Sequence, residues 1–384
     1  MKRSNLTTTE NPSFLNIDYE FPTSMKICYI GGANSIHLQR WIKWIANAGH
    51  DVHLITEYPI EIDNIKIHSL KYKKNGGFIN FISKIIQTKK LVKKINPHIL
   101  HAHYVFGYGT FAAFTNFHPF VLTAWGSDIL VDTSSMFGKY AVKYSLKKAD
   151  LITCDAQHLK QSMIKLGIED QKIKIIYFGT DTIKFSPQKK NKSIREKLGL
   201  NDSPIVISLR SLKPIYNLES LITAIPLVLK QIPEAKFIIA GEGPEEKMLK
   251  EMATSLKIID SIRFLGSIPN DQLPYYLTAS DVYVSTSLSD AGLAASTAEA
   301  MACELPVIST DFGANAEWVK DGKNGFLIPM KNPTLLAEKI IVLLNDKDLR
   351  KKFGKNGRQI IKERLDYNTE MSKMEKMYEE LIKK

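Results

Sequence analysis

The sequence predicts an α/β protein built from two doubly wound domains, each a parallel sheet with helices on both faces. Short β-branched runs alternate with amphipathic segments from Met25 to about residue 330. This alternation is typical of parallel sheets covered by crossover helices. A length of 384 residues suits two such domains better than one. Between them, the stretch 178–192 is rich in turn residues and charge, which is typical of a linker.

The first half opens with an expected strand at 26–30, which ends in Gly31 and Gly32. Apolar residues at helical spacing then predict a helix over 35–48, closed by Gly49, and a strand follows at 51–56. This order is a βαβ unit and implies a parallel sheet. The further elements of this half are expected as strands at 98–102, 120–124, 151–154 and 172–176, and as helices at 78–94, after Gly109 and at 138–148.

The second half continues the pattern without repeating the sequence of the first. Its strands are expected at 204–209, 235–240, 261–265, 282–286, 306–309 and 325–328. A long charged helical region, 347–382, follows and is interrupted near Asp366. Parallel sheets bind ligands at the carboxyl ends of their strands, so the expected site is a cleft between the two domains.

The charge balance narrows the classes of partner. Lysine and arginine number 52 against 40 acidic residues, a formal net charge of +12. This charge attracts nucleic acid, anionic membranes or phosphate-bearing substrates. Nucleic acid is not expected, because the sequence has no basic stripe interleaved with aromatics, no helix-turn-helix and no zinc finger. Cys28, Cys154 and Cys303 lie far apart without a CxxC pattern, which argues against a disulfide framework and a zinc site.

The sequence also indicates where the protein works. No run approaches the roughly 18 apolar residues of a membrane span, and residues 1–24 lack the apolar core of a signal peptide. We expect a flexible leader on a cytoplasmic protein. The helix at 78–94 has the basic amphipathic character of segments that bind the anionic inner face of a membrane; the alternative is the solvated face of a packed helix. Its lysines are Lys84, Lys89, Lys90, Lys93 and Lys94.

Three segments place small or charged residues at strand ends, where a ligand would bind. Gly31-Gly32 lets a phosphate or sugar approach the backbone, although a tight turn alone would also use glycines. Gly241-Glu242-Gly243 suits a base or phosphate, or an ordinary β-to-α turn. Arg210 ends a strand and Lys213 follows in its loop. A guanidinium fork and a point charge suit a diphosphate, although exposed loops commonly carry basic residues.

The segment 287–302 is the most informative. Small residues open a helix there, and free N–H groups at a helix start hold phosphates. This opening consists of Gly292, Leu293, Ala294, Ala295 and Ser296. Glu299 follows among small and apolar residues, which predicts a buried helix where a lone carboxylate needs a partner. Ribose hydroxyls are expected to supply it; the alternative is an ordinary solvated helix residue.

In this order and spacing, the segments resemble family 4 retaining glycosyltransferases of the GT-B fold. In the second half the matching pieces are RSLKPIYNLESLITA, KFIIAGEGPE, IRFLGSIPNDQLPYYLTASDVYVSTS, EAMACELPVIST and FGANAEWVKDGKNGFLIP. In the first half they are GGANSIHLQRWIKWIANAGHDVHLIT, ILHAHYVFGYG, LTAWGSDIL and GTDTIKFSP. The resemblance covers nearly the whole chain from Met25. It implies two facing Rossmann-like domains, an acceptor domain over 25–187 and a nucleotide-sugar domain over 188–360, with a C-terminal helix over 361–384 that packs back on the first.

The resemblance also implies roles for single residues. Arg210 and a nearby lysine would hold the donor diphosphate, and Glu299 would bind ribose. The segment 241–245 and the segment from Arg263 to Ser267 would surround the base. Gly31-Gly32 would line the donor phosphates or the acceptor from the opposite domain.

Three positions depart from the pattern of the family. Ala291 stands where the first glutamate of a Glu-x7-Glu pair contacts the transferred sugar, and the adjacent Asp290 is expected to replace it. Tyr216 replaces the usual lysine of the phosphate loop, which leaves Lys213 as its stand-in. Trp125 stands where many relatives have a histidine against the donor sugar. With Asp128 it defines a WGSD-type subgroup and is assigned to the donor site.

These observations lead to a hypothesis of function. The chain would transfer a hexose, with retention, from a UDP- or GDP-sugar to a glycan or lipid-linked acceptor in surface polysaccharide synthesis. The donor is a substrate, and neither cofactor nor metal is expected, because His101 and His103 lack a clear third ligand. The alternatives are a membrane-associated sugar-nucleotide-binding protein without transferase activity, which Ala291 and Tyr216 keep open, and an epimerase of the same fold.

Overall fold

A computed structural model describes residues 24–71, 77–130, 136–187, 192–289 and 292–383. The described chain forms two parallel sheets, one from each half of the sequence. Each sheet is covered on both faces by helices, because its central strands are buried on both sides along nearly their whole length. The predicted fold class, two Rossmann-like α/β domains, is therefore confirmed. The predicted domain bounds at 25, 187 and 360 stay a prediction.

The first sheet has seven strands in the order β3-β2-β1-β4-β5-β6-β7. Its strands are β1 (Lys26–Ile30), β2 (Asp51–Thr56), β3 (Ile65–Ser69), β4 (Ile99–His103), β5 (Phe120–Ala124), β6 (Leu151–Cys154) and β7 (Ile173–Ile175). Its helices are α1 (Ile36–Asn47), α2 (Gly77–Ile95), α3 (Thr110–Ala113), α4 (Ser127–Leu130), α5 (Met136–Lys148) and α6 (Gln157–Lys165). Sequence patterns missed β3, because an edge strand with Lys66 and His68 lacks a continuous apolar run.

The second sheet has six strands in the order β10-β9-β8-β11-β12-β13. Its strands are β8 (Ile205–Leu209), β9 (Lys236–Ala240), β10 (Ile262–Phe264), β11 (Val282–Ser285), β12 (Val307–Thr310) and β13 (Gly325–Ile328). The helices that follow the first domain are α7 (Lys192–Lys197), α8 (Leu218–Gln231), α9 (Glu246–Ser255), α10 (Leu273–Ala279), α11 (Ala295–Ala302), α12 (Asn315–Trp318), α13 (Pro333–Asn345), α14 (Lys347–Arg364) and α15 (Tyr367–Lys383).

Both sheets change winding direction next to their first strand. The reversal lies between β1 and β4 in one sheet and between β8 and β11 in the other. Loops that leave neighbouring strands in opposite directions open a crevice at the carboxyl ends, where ligands bind in doubly wound sheets. Gly31 follows β1 and Tyr104 follows β4, while Arg210 follows β8 and Thr286 follows β11. The topology thus brings these loops to the sites where chemistry is expected.

The C-terminal helix α15 returns to the first domain, as the fold class predicts. The buried Tyr378 hydroxyl lies 2.9 Å from the Tyr29 hydroxyl and 2.5 Å from Nδ1 of His101. The Trp44 indole of α1 donates to Asn368 at 2.9 Å. The return is possible because α14 ends at Arg364, where a short parallel bridge joins Thr180 to Asp366. The predicted interruption near Asp366 is confirmed.

Helix α2 has an exposed apolar stripe and an exposed basic end. Phe78 and Ile79 are 68% and 76% exposed, and Lys89, Lys90, Lys93 and Lys94 are exposed. The prediction that Lys84 belongs to the basic surface of α2 is wrong. Its ammonium lies 2.7 Å from the Glu57 carboxylate, and the side chain is only 15% exposed. Lys84 therefore faces the fold and does not belong to the basic surface. In the part of the chain that is described, no helix combines the length and apolar character that crossing a membrane requires.

Candidate active site

A cavity of about 280 Å³ lies between the two domains. Its walls come from both, since α1, the end of β6 and the linker face the start of α11 and the helix α12. The residues that line it are His37, Arg40, Asp155, Ala156, Tyr177, Phe178, Gly179, Thr180, Gly292, Leu293, Ala295, Ala298, Ala314, Glu317, Trp318 and Leu365. Of the predicted site residues, Gly292, Leu293 and Ala295 border this cleft directly.

The loop after β8 presents a cation that is held in a fixed orientation. The Arg210 guanidinium donates to the Ser287 hydroxyl at 2.8 Å and lies 4.2 Å above the centre of the Tyr216 ring. An aromatic face under a guanidinium is an attractive contact that also restricts its rotation. Tyr216, which replaces the lysine expected there, thus orients Arg210. Lys213 lies in the same loop and is exposed.

The glycines of the loop after β9 are required by close packing. A Cβ atom at Gly241 would lie 2.1 Å from the Arg210 carbonyl oxygen, and one at Gly243 would lie 2.2 Å from that of Leu212. Gly241 also has a φ of +147°, which favours glycine. Between them, Glu242 accepts from the Ser267 amide at 3.3 Å. The Gly241-Glu242-Gly243 segment therefore packs directly against the backbone of the loop that carries Arg210.

Arg263 has backbone partners. Its guanidinium donates to the carbonyl oxygens of Leu198 and Asp260 at 3.1 Å and 3.0 Å. These bonds join β10 to the residue after α7. They use N–H groups that Arg263 would also need for the predicted contact with a nucleotide base.

The start of α11 is lined by small residues. Ala294 precedes the helix without a side-chain capping bond, which suits a helix start that receives a ligand. The Ser296 hydroxyl is 2.7 Å from the Tyr283 hydroxyl, so it is turned toward the sheet. Asp290, the predicted replacement for the first glutamate, and Ala291 lie outside the described residues.

Glu299 has the electrostatic environment of a functional carboxyl group. Burial raises its pKa to about 7, against the opposing effects of the Arg40 charge, the Asn270 side chain and the Lys184 charge. Arg40 belongs to α1 of the other domain, so the charge of Arg40 acts on Glu299 from across the cleft. The sequence analysis missed this partner. His37 and Arg40 lie three residues apart on the helix that follows Gly31-Gly32, which was the available signal.

An aromatic stack forms the wall of the first domain. Trp125 stacks on Phe178 with ring centroids 4.4 Å apart and an interplanar angle of 18°, and His37 packs on Phe178 at 4.6 Å. Nearby, Asp155 follows β6 and faces the cleft; burial raises its pKa to about 6, with the Asp128 charge as a further cause.

Asp128 orders the loop that carries Trp125. Its carboxylate is fully buried and accepts from the amides of Val105 and Trp125 at 2.7 Å and 3.0 Å, and from that of Gly126 at 2.9 Å. Burial raises its pKa, although these amide donors act in the opposite direction. Its oxygens are thus taken by the backbone. We predicted that Asp128 contacts the nucleotide-sugar directly. The structure corrects this prediction, because Asp128 instead positions Trp125.

Replacing Asp128 by asparagine is expected to destabilise the protein by about 2 kcal/mol, because an amide NH₂ group would then face a backbone N–H group. Urea unfolding measures the change. Asp155→Asn is the matched control, since it removes a strand-end carboxylate that faces the cleft, and we expect it to leave stability unchanged or higher. Equal stability of Asp128→Asn and the wild type would contradict the role given to Asp128.

The glycine pair Gly31-Gly32 lies between the end of β1 and the start of α1. A Cβ atom at Gly31 would lie 2.6 Å from a methyl group of Leu38, so a larger residue there would displace the end of that side chain. Gly32 borders a second cavity of about 190 Å³ inside the first domain. The predicted contact with phosphate or acceptor is compatible with the position of Gly32.

His101 is unsuited to binding a metal, because both of its ring nitrogens have partners. Nδ1 lies 2.5 Å from the Tyr378 hydroxyl and Nε2 lies 2.7 Å from the Thr123 hydroxyl. Over the described ranges, no group of three or more histidine, cysteine, aspartate or glutamate side chains has the arrangement of a metal site.

Comparison with known proteins places this architecture in a family. The model of the glycosyl transferase 4-like family matches residues 26–156, and that of glycosyl transferases group 1 matches residues 190–360. An uncharacterized glycosyltransferase of Methanocaldococcus jannaschii is 29% identical over 92% of this chain and 95% of its own. N-acetyl-alpha-D-glucosaminyl L-malate synthase of Bacillus anthracis is 24% identical over 93% of this chain and 96% of its own.

A solved structure shares the fold. HepE of Anabaena in complex with UDP-glucose superimposes with a TM-score of 0.75, at 20% identity, over 93% of this chain and all of its own. The WGSD-type subgroup stays a prediction. The two family matches together cover every strand of both sheets except β7, and the fold and the relatives agree with them. The chain is therefore a glycosyltransferase enzyme of group 1, a family 4 type with the GT-B fold.

Proposed function

We propose that this glycosyltransferase moves a hexose from a UDP- or GDP-sugar to a glycan or lipid-linked acceptor. The observation that carries the proposal is the cleft itself. The small-residue start of α11 borders it, the half-buried Glu299 follows on the same helix, and the stacked Arg210 lies in the loop after β8. A carboxylate suits ribose hydroxyls and a fixed guanidinium suits a diphosphate. HepE binds UDP-glucose, which supports testing UDP-sugars first.

The proposed reaction retains the anomeric configuration. The bond between the anomeric carbon and the diphosphate breaks, and the acceptor oxygen bonds to the same face of that carbon. The acceptor proton passes to the departing diphosphate. Arg210, Lys213 and the start of α11 would stabilise the negative charge that develops on the leaving group. Closure of the two domains would exclude water that otherwise hydrolyses the donor.

Calorimetry against UDP-, GDP-, ADP- and CMP-sugars tests the donor site in the wild type, Glu299→Ala and Arg210→Ala. We expect one nucleotide class to bind and both variants to lose most of the affinity. The exposed Lys351 lies on α14, so Lys351→Ala serves as a control that should bind normally. Absence of binding by any nucleotide sugar would overturn the proposal, as would conversion of the donor sugar to its epimer without an acceptor.

The proposal includes no resident metal or cofactor, with the nucleotide-sugar serving only as a substrate. The engagement of both His101 nitrogens supports this. Transfer activity should survive dialysis against EDTA, and its loss with recovery on adding Mg²⁺ or Mn²⁺ would contradict this part of the proposal.

We also propose that α2 binds an anionic membrane at the cytoplasmic side, where lipid-linked acceptors of surface polysaccharides would be found. The exposed Ile82 and Ile86 continue the apolar stripe of Phe78 and Ile79, and Phe137 and Tyr140 of α5 extend it. The exposed lysines lie at the C-terminal end of the same helix. Apolar side chains beside a basic cluster suit insertion at a lipid surface.

Charge reversal of Lys89, Lys90, Lys93 and Lys94 to glutamate is expected to abolish sedimentation with anionic vesicles, because each lysine near such a surface contributes about 1 kcal/mol. A matched control reverses four exposed lysines of α14, namely Lys347, Lys351, Lys352 and Lys355. The control changes net charge equally and should still sediment. Equal sedimentation of the two variants would refute the assignment to α2.

A further inference from the structure

Arg40 is attached to both segments through which the chain passes between the domains. We call these two segments, 177–182 and 364–368, the interdomain joint. The Arg40 guanidinium donates to the Gly179 carbonyl oxygen at 3.2 Å and lies 4.5 Å above the centre of the Tyr367 ring. The Tyr367 hydroxyl in turn donates to the backbone carbonyl oxygen of Arg40 at 2.5 Å. These contacts restrict the orientation of the guanidinium.

The two segments of the interdomain joint are bonded to each other. The Thr180 amide donates to the Leu365 carbonyl oxygen at 2.7 Å, and the Tyr367 amide donates to that of Thr180 at 3.0 Å. A Cβ atom at Gly179, whose φ is +66°, would lie 2.4 Å from the Cα atom of Tyr367, so this crossing requires glycine. Arg40 is therefore held by a single packed unit that links the two domains.

Arg40 also borders the interdomain cleft, together with the helix that carries Glu299. Arg40 of α1 and Ala298 of α11 line the same cavity, and Glu299 follows Ala298. Burial raises the pKa of Glu299, and the Arg40 charge is the strongest of the effects that lower it, with Lys184 of the linker acting in the same direction. The Cys303 thiol also interacts with Glu299, but burial raises its pKa to about 12 and keeps it neutral.

The ionisation of Glu299 matters for the proposed contact with ribose. With a pKa of about 7, the carboxyl group is only partly ionised at neutral pH. The ionised form accepts hydrogen bonds at both oxygens, and such charge-assisted bonds are the stronger ones. A nearby cation favours this form. Because Arg40 belongs to the first domain, its effect on Glu299 depends on how the two domains face each other.

We propose that Arg40 is a positioning residue for the donor site, which keeps Glu299 ionised from across the cleft and so couples nucleotide affinity to the interdomain joint. The inference rests on the proposed function and adds to it a residue of the first domain that determines affinity without binding the nucleotide. Coupling of this kind is reciprocal, so a nucleotide bound to Glu299 should also favour the arrangement that keeps Arg40 opposite it.

Two variants of Arg40 separate its charge from its bonds to the joint. Arg40→Gln removes the charge, while its amide can still donate to the Gly179 carbonyl oxygen. Arg40→Lys keeps the charge but loses the planar group that stacks on Tyr367. We expect Arg40→Gln to weaken UDP binding about 5-fold or more at pH 7, and Arg40→Lys to retain most of the affinity. Calorimetry measures both, with Lys43→Gln as the matched control, because Lys43 is exposed on the same helix.

A double-mutant cycle tests whether Arg40 acts through Glu299. The same measurement is repeated with Arg40→Gln in the Glu299→Gln background. Glutamine does not ionise, so Arg40→Gln should there weaken UDP binding by less than about twofold. Equal losses in the two backgrounds would overturn the inference, because Arg40 would then act on the nucleotide itself or only through the joint.

The titration of Glu299 gives a readout that needs no nucleotide. The ¹³C resonance of its carboxyl group, assigned by its absence from Glu299→Gln, is followed against pH in the free protein. We expect Arg40→Gln to move the midpoint upward by about 0.5 pH or more, and Lys43→Gln to leave it in place. An unchanged midpoint in Arg40→Gln contradicts the inference whether or not UDP binds. If the midpoint moves but the wild type binds no UDP, the proposed donor site fails, and the role of Arg40 in nucleotide affinity fails with it.

Discussion

Replacing Arg210 by alanine is expected to lower the rate of sugar transfer by about 10² to 10³-fold, the usual effect of removing one fixed donor from a developing anion. The geometry explains the size of the effect. The guanidinium is held by the Ser287 hydroxyl and the Tyr216 ring, so it requires no reorganisation when the diphosphate departs. Lys213 is exposed in the same loop and is expected to replace little of this stabilisation.

Two further variants separate charge from orientation at this position. Arg210→Lys keeps the charge but loses the two-pronged fork and its stacking, and we expect an intermediate rate. Tyr216→Phe keeps the ring face and should transfer at nearly the wild-type rate. Rates are measured as UDP release in the presence of acceptor. Transfer by Arg210→Ala within about threefold of wild type would show that another group stabilises the leaving diphosphate.

The fold was predictable because its signals are local. Parallel strands buried on both faces have continuous apolar runs, and the runs at 26–30, 51–56 and 325–328 match β1, β2 and β13 residue for residue. The edge strand β3 escaped because it has only five residues and alternates Ile65 and Ile67 with Lys66 and His68, without a continuous apolar run. The break expected near Asp366 also lies between α14 and α15.

The candidate site was less predictable because its decisive contacts are long-range. Arg40 and Glu299 are 259 positions apart, and the spacing of His37 and Arg40 places them on one face of α1 without indicating that this face looks toward α11. Lys84 lies on the face of α2 opposite the other lysines, and its partner Glu57 is 27 positions away in the sequence. Asp128 was assigned to a ligand from a motif, whereas its neighbours Val105 and Gly126 use its oxygens. Motifs located the segments, and packing decided the role of each side chain.

Glu299→Gln is expected to raise stability above pH 7 and to weaken nucleotide binding. Burial raises the pKa of Glu299 from 4.5 to about 7 in the folded protein, so folding favours the protonated form. Wild-type stability should therefore fall as the pH rises from 4.5 to 7 and stay lower above it. A shift of this size corresponds to about 3 kcal/mol. Glutamine does not titrate, so the advantage of the variant should be absent near pH 4.5 and largest above pH 7.

Urea unfolding of the wild type and Glu299→Gln between pH 4.5 and 8.5 measures this difference, and calorimetry with UDP at pH 8 measures the functional cost. Glu317→Gln is the control, because Glu317 borders the same cleft but is exposed. It should change neither quantity. A stability difference that stays constant with pH would mean that Glu299 is not held protonated by the fold. If the difference follows the expected curve and UDP binds Glu299→Gln more weakly, the carboxyl group is kept buried at a cost in stability because the nucleotide needs it.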